Sequence, residues 1–128
     1  MIVIDASAIV ELLTLTRRGR TVADRILPEQ GVIHAPHLID LEVASVLRRL
    51  ELTDAISPRA ARKCLETYSQ IGIKRWEHIR FISSIWELRH NLTTYDASYL
   101  VLARALDVPL ITCDGSLVST DARVELIA

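Results

Sequence analysis

Residues 2–14 read "IVIDASAIVELLT". Three apolar residues, Ile2 to Ile4, run without a polar interruption and stop at an acid, Asp5. A short continuous apolar run of this kind is how a strand buried on both faces of a parallel sheet reads. Residues 7–14 then carry a helical pattern, so the stretch is a strand, an acid and a helix in succession. The remainder of the chain repeats that grammar. A second strand is expected over 31–36 ("GVIHAP"), stopped by Pro36, a third at "GIKR" (72–75), a fourth over 108–112 ("VPLIT") and a last one over 123–127 ("RVELI"). Helices are expected over 20–27, 37–50, 77–90 and 95–107, and one opens at Ser57-Pro58, where a capping hydroxyl precedes a proline, and runs to about residue 69. A short turn or helix follows Asp114. Strands alternating with helices predict an α/β/α sandwich with a mainly parallel central sheet.

The chain has 128 residues, half of them hydrophobic and 24% charged, which suits one domain around one core, with no repeat or linker to divide residues 1–128. Formal net charge is −1, so bulk electrostatics selects no partner. Cys64 and Cys113 form no evident framework, which points to a reduced, cytoplasmic setting. The apolar opening lacks a basic leader and is broken by Asp5 and Glu11, so it reads as neither signal peptide nor membrane span.

Four acids stand out against this frame. Asp5 follows the first strand, Asp114 follows the strand "PLITC", and Asp96 lies at the start of an apolar helix. Strand C-termini and helix N-termini share one edge of a parallel α/β layer, where sites gather. The fourth acid is Glu42. With 38–50 wound at 100° per residue, Glu42 falls between Leu38 and Val46, within the arc of Ile39, Val43, Leu47 and Leu50; Asp40 lies about 160° away and points elsewhere. Taken singly, Asp5, Asp96 and Asp114 are each explained as helix caps, and Glu42 as an edge residue near Arg49. Taken together, four acids on one rim repel, raise one another's pKa and need a cation. The ligands are all hard oxygens, which selects Mg²⁺ or Mn²⁺ over zinc. Such a site activates water and stabilises the charge that builds on a phosphodiester. Without the four proposed ligands the chain carries 15 basic against 12 acidic residues, and 13 of the bases are Arg, suited to bidentate phosphate contacts.

Other reagents are weaker. His34 and His37 flank Ala-Pro, a poor metal pair, and read as structural or surface residues; His78 and His90 have no acid partner. Trp76 and Trp86, with Ile82 and Ile85, read as core in preference to an interface. Cys113 reads as a small buried residue, Arg89 as solvated or near enough to the Asp96 loop to reach a phosphate, and Asp121 as a loop acid. A haloacid-dehalogenase-type phosphatase needs an acid where Ser7 stands. A phospho-acceptor receiver needs a late Lys, whereas the lysines are Lys63 and Lys74.

The blocks "VIDASAIVELL" (3–13), "APHLIDLEVASVLRRL" (35–50), "TTYDASYLVLARAL" (93–106) and "PLITCDGSL" (109–117) resemble, in order and spacing, those of PIN-domain ribonucleases, above all the VapC-type toxins of type II toxin–antitoxin modules. By that resemblance Asp5, Glu42, Asp96 and Asp114 are the acidic quartet, catalytic and metal-binding, with Ser7 and Thr112 in support. It implies Mg²⁺-dependent endonucleolytic cleavage of an RNA substrate, a homodimer, and inhibition by a cognate antitoxin that lays a C-terminal segment, often with an Arg, into the groove. The competing reading is a PIN-like scaffold that binds RNA or a protein without cutting.

Overall fold

The structure, a computed structural model, describes residues 1–29, 32–118 and 120–128. Strand β1 (Ile2–Ile4) is wholly buried, as its uninterrupted apolar run requires. It pairs in parallel with β2 (Ile33–Pro36) on one side, Ile2 opposite Ile33, and with β4 (Leu110–Thr112) on the other, Ile4 opposite Ile111. Strand β3 (Ile73–Trp76) pairs outside β2, and β5 (Val124–Leu126) outside β4. The order is β3-β2-β1-β4-β5 and every pairing is parallel, a stricter outcome than the mainly parallel sheet expected from the sequence. Of the strand expected over 31–36, Gly31 lies outside the described residues.

Helices α1 (Ala6–Leu13) and α2 (Arg17–Ile26) connect β1 to β2, α3 (Leu38–Leu52) and α4 (Pro58–Gln70) connect β2 to β3, and α5 (Ile82–Glu87) and α6 (Thr94–Leu106) connect β3 to β4. Helix α1 packs on α2, α3 and α4, whereas α6 lies against β1, β2 and β4 with α5 beside it. Because parallel crossovers are right-handed, moving outward to β3 and then back across to β4 puts the two helix groups on opposite faces. The result is three layers. Ile4, Ile9, Ile39, Leu100, Leu110 and Ile111 are among the side chains fully buried between them.

Local chemistry sets the boundaries. Ser57 accepts from the Ala60 amide at 3.0 Å with Pro58 in the first turn, as the sequence predicts. Helix α2 begins earlier than residue 20 because Thr16 caps it, accepting from Gly19 at 3.0 Å. Gly19 also lets α2 approach α1, since a Cβ there would stand 1.9 Å from the Glu11 carbonyl oxygen. The helix expected over 77–90 is reduced to a 3-10 turn, Ile79–Phe81, and the six residues of α5. Its serines and β-branched isoleucines are weak helix formers. The core assignment of its aromatic and apolar residues needs correction. Ile85 is buried against Ala97 and Val101 of α6, but Ile82 and Trp86, beside it on the same side of α5, are exposed.

Candidate active site

Strand order reverses between β1 and β4: the chain winds outward from β1 through β2 to β3, then returns to the other side of β1. A crevice forms at the carboxyl ends of strands where order reverses. Asp5 leaves β1 at that point, and Asp114 follows β4 two residues on. Asp96 stands in the first turn of α6, and Glu42 in the second turn of α3.

Asp5 is buried, and its backbone amide donates to Ile111 at 3.1 Å, which extends the β1–β4 ladder into the site. Its Oδ1 accepts from the Ser7 hydroxyl at 2.6 Å and from the Ala8 amide at 3.1 Å. Its Oδ2 accepts from the Thr112 hydroxyl. Asp5 is therefore both a cap of α1 and a tie to the last third of the chain. Ser7 Oγ accepts in turn from the Cys113 amide at 2.9 Å, and Thr112 Oγ1 from the Asp114 amide at 2.9 Å. Each hydroxyl has one proton and gives it to Asp5, so the two hydroxyls, 3.3 Å apart, relay the carboxylate to the backbone that carries Asp114. Burial pushes the Asp5 carboxyl up to about 6; the Ser7, Thr112 and Ala8 donors oppose the rise and the charge of Asp114 adds to it.

Glu42 is half-buried and does not pair with Arg49. Its Oε1 accepts from the Tyr99 hydroxyl at 2.6 Å. Burial raises its pKa, the Tyr99 bond eases it, and Asp96 raises it further. Asp40, two residues earlier, faces away as the helical geometry predicts, and takes Arg75 Nη2 at 2.7 Å and the Tyr68 hydroxyl at 2.6 Å. Asp96 is not the cap of α6. Thr93 is, its hydroxyl accepting from the Asp96 amide at 3.1 Å. Burial and the charge of Asp114 raise the Asp96 carboxyl, and Thr93 eases it. Asp114 is exposed and caps the following turn, accepting from the Ser116 amide at 3.0 Å.

The acids thus form a linked rim. Asp114 acts on Asp5 and on Asp96, and Asp96 acts on Glu42. Among the described residues no three His, Cys, Asp or Glu side chains already converge as a metal cage. Asp5, Glu42 and Asp114 are each held by their own donors. The donor set is nonetheless all carboxylate oxygen, with three members driven toward their protonated forms, and it fits a hard divalent cation.

The remaining candidates fall outside the rim. His34 is buried and its Nδ1 accepts from Trp76 Nε1 at 3.0 Å; His37 and His90 are exposed; His78 Nε2 accepts the Leu38 amide at 3.1 Å, at the start of α3. Cys113 is a free, buried thiol, pushed up to about 11 by burial. Arg89 donates to the Trp86 carbonyl at 3.1 Å and lies over the Trp86 ring. Asp121 pairs with Arg104 at 2.8 Å, as a structural loop acid. Tyr99 joins the site with no motif to announce it; its one signal in the sequence is a phenol, which needs a partner when buried, inside an otherwise apolar helix.

Fold and rim together define a doubly wound parallel α/β domain with an acidic edge. The PIN domain family pattern matches residues 2–122. The chain is 43% identical over 116 residues to Ribonuclease VapC1 of Mycobacterium tuberculosis, covering 90% of this chain and 86% of that protein. It is 40% identical over 120 residues to Ribonuclease VapC9 of the same organism, covering 94% and 91%. The crystal structure of Mycobacterium tuberculosis VapC20, described as a sarcin-ricin loop cleaving toxin, superposes with a TM-score of 0.66 at 17% identity, covering 98% of this chain and 99% of that one. The chain belongs to the PIN-domain family, among its VapC-type members.

Proposed function

We propose that this chain is a metal-dependent endoribonuclease, the toxin of a toxin–antitoxin pair, and that Asp5, Glu42, Asp96 and Asp114 form its catalytic and metal-binding site. The observation that carries the reading is Asp5: a buried carboxyl at the strand-order reversal, held by hydroxyls from both ends of the chain and charge-coupled to Asp114. A fold places an anion there at a cost in stability, which a bound cation offsets.

Asp5, Glu42, Asp96 and Asp114 would hold Mg²⁺ or Mn²⁺, with Ser7 and Thr112 orienting Asp5. A divalent ion at such a site supplies Lewis acidity toward the phosphate and lowers the pKa of bound water. Ser7 and the Ala8 amide occupy Asp5 Oδ1, whereas Thr112 alone holds Oδ2 and leaves it a further lone pair, as Tyr99 does for one oxygen of Glu42. RNA is the substrate, a cognate antitoxin the inhibitor and a homodimer the working form. The exposed Ile79, Ile82 and Trp86 support pairing with a second copy. No helix of the described residues is long and apolar enough to cross a membrane.

The test is RNA cleavage by purified protein freed of any bound inhibitor. Internal cuts are expected with Mg²⁺ or Mn²⁺ and none with chelator, and Asp5→Asn or Asp96→Asn abolishes them with the circular dichroism unchanged. A wild-type protein that cuts no RNA under either metal overturns the reading in favour of a binding module.

A further inference from the structure

Tyr99 is 2% exposed, yet it carries a hydroxyl. A buried phenol needs a partner, and this one donates to Glu42 Oε1 at 2.6 Å, across 57 positions of chain. It is the only hydrogen bond to the Glu42 side chain among the described residues. Tyr99 lies three residues beyond Asp96, so one face of α6 presents both groups toward the rim. A glutamate has three rotatable side-chain bonds, and half-burial alone does not fix them. Asp5 is locked by three donors, Asp114 by the backbone amide of Ser116. Glu42 has only Tyr99. A phenol has a single proton to give, so it can pin one carboxylate oxygen and must leave the other free.

We propose that Tyr99 is the positioning residue for Glu42: it holds Oε1 and thereby turns Oε2 toward the cation site shared with Asp96. The proposal rests on the metal-site reading above. It assigns Tyr99 no contact with substrate; the residue acts through Glu42.

The test compares wild type, Tyr99→Phe, Glu42→Gln and the double variant, all free of inhibitor. Tyr99→Phe removes one oxygen and keeps the ring that fills the core. Mn²⁺ alone is the probe, its binding followed by the loss of free-ion paramagnetic signal. Outer-sphere partners of metal ligands are commonly worth about 10–100-fold in affinity or activity, and a loss in that range is expected for Tyr99→Phe, with cleavage partly restored at high Mn²⁺. In the double variant the Phe substitution costs nothing further, because the carboxylate it served has gone. A folded Tyr99→Phe that binds Mn²⁺ as tightly as wild type overturns the positioning role and leaves the metal site standing; a wild type that binds no Mn²⁺ overturns both. A second measurement needs no variant. The Tyr99 hydroxyl proton, protected by burial, should shift upfield in the wild-type NMR spectrum as Mg²⁺ draws charge from Glu42. A resonance that stays fixed while Mg²⁺ saturates cleavage overturns the proposal.

Discussion

Thr112, at the end of β4, donates its hydroxyl to Asp5, at the end of β1, across 107 positions of sequence. The same oxygen accepts the amide of Asp114 at 2.9 Å. One fully buried hydroxyl therefore couples the first acid of the rim to the backbone of the last, through the two adjacent strands at which the sheet order reverses. The two acids need not touch to be held in fixed relation.

Thr112→Val keeps the shape of that side chain and removes its polar atom. Asp5 Oδ2 then has no hydroxyl donor and the Asp114 amide loses its acceptor. Leaving buried polar groups unpaired costs about 1–3 kcal/mol, so the denaturant midpoint should fall accordingly. The Asp5 carboxyl should also climb above about 6, because one of the donors that oppose burial is gone. The acid limb of the cleavage profile moves to higher pH with it. Thr112→Ser keeps both bonds and should behave as wild type. If the valine variant matches wild type in midpoint and pH profile, the coupling has no energetic weight.

Asp5 makes metal-free stability depend on pH in a definite direction. Its folded value is about 6 against an ordinary 3.8, so the folded chain holds the proton more tightly than the unfolded chain. The stabilisation from that proton is complete below about pH 4 and is lost as pH rises through about 6, on the order of 3 kcal/mol for a shift of this size. Asparagine cannot titrate. In the presence of chelator, the melting temperature of Asp5→Asn minus that of wild type should therefore grow between pH 4 and pH 7. Its starting value reflects the altered hydrogen bonds and has no predicted sign. A difference that stays level across this range would show that Asp5 titrates normally.

The sheet and the positions of the acids were legible from residue order because buried parallel strands leave continuous apolar runs, and the acids mark where the runs stop. Ile2–Ile4 ending at Asp5 and Leu110–Thr112 ending near Asp114 are the examples. Contacts made across the fold left no such trace. Helical winding put Glu42 on the inner face, but nothing local says that Tyr99 lies opposite it, or that Arg75 on β3 takes Asp40. Thr93 and Asp96 both lie within the cap region of α6, and the extended backbone of Thr93, with its hydroxyl accepting from the Asp96 amide, assigns it the cap. Trp86 shows the limit of reading burial from side-chain type, since an apolar side chain in a helical pattern does not by itself say which side of the helix meets the core, and Trp86 is exposed.

Asp40 and Glu42 offer a control within one helix. Arg75 holds the Asp40 carboxyl below the usual carboxylate range, with Tyr68 assisting, whereas burial raises Glu42. Asp40 is a surface tie between α3, α4 and β3, its side chain 42% exposed. Asp40→Asn should cost at most about 1 kcal/mol, as expected of exposed ion pairs, and leave cleavage within about twofold. Glu42→Gln should remove cleavage with no loss of melting temperature, since it relieves a charge that burial and Asp96 both oppose. Side-by-side kinetics and melts decide this. Equal loss of cleavage in both variants would mean that the rim extends to the far side of α3, or that Glu42 has no special part in it.

The exposed residues of the α5 region make the last prediction. Ile79 is 72% exposed, Trp86 58% and Ile82 51%. Arg89 lies over the Trp86 ring at 4.8 Å and borders the apolar surface with a cation. If this face joins two copies, Trp86→Glu buries a charge in the pair and costs nothing in the single chain, where the side chain already meets water. Sedimentation should give twice the chain mass for wild type and the single-chain mass for Trp86→Glu. The dissociated variant should keep the wild-type circular dichroism, since exposed substitutions usually change stability by no more than about 0.5 kcal/mol. A wild type that sediments as a single chain at all concentrations rules out the dimer. A Trp86→Glu variant that remains paired moves the interface to another face, because an unpaired glutamate at the centre of an apolar contact would be too costly to retain.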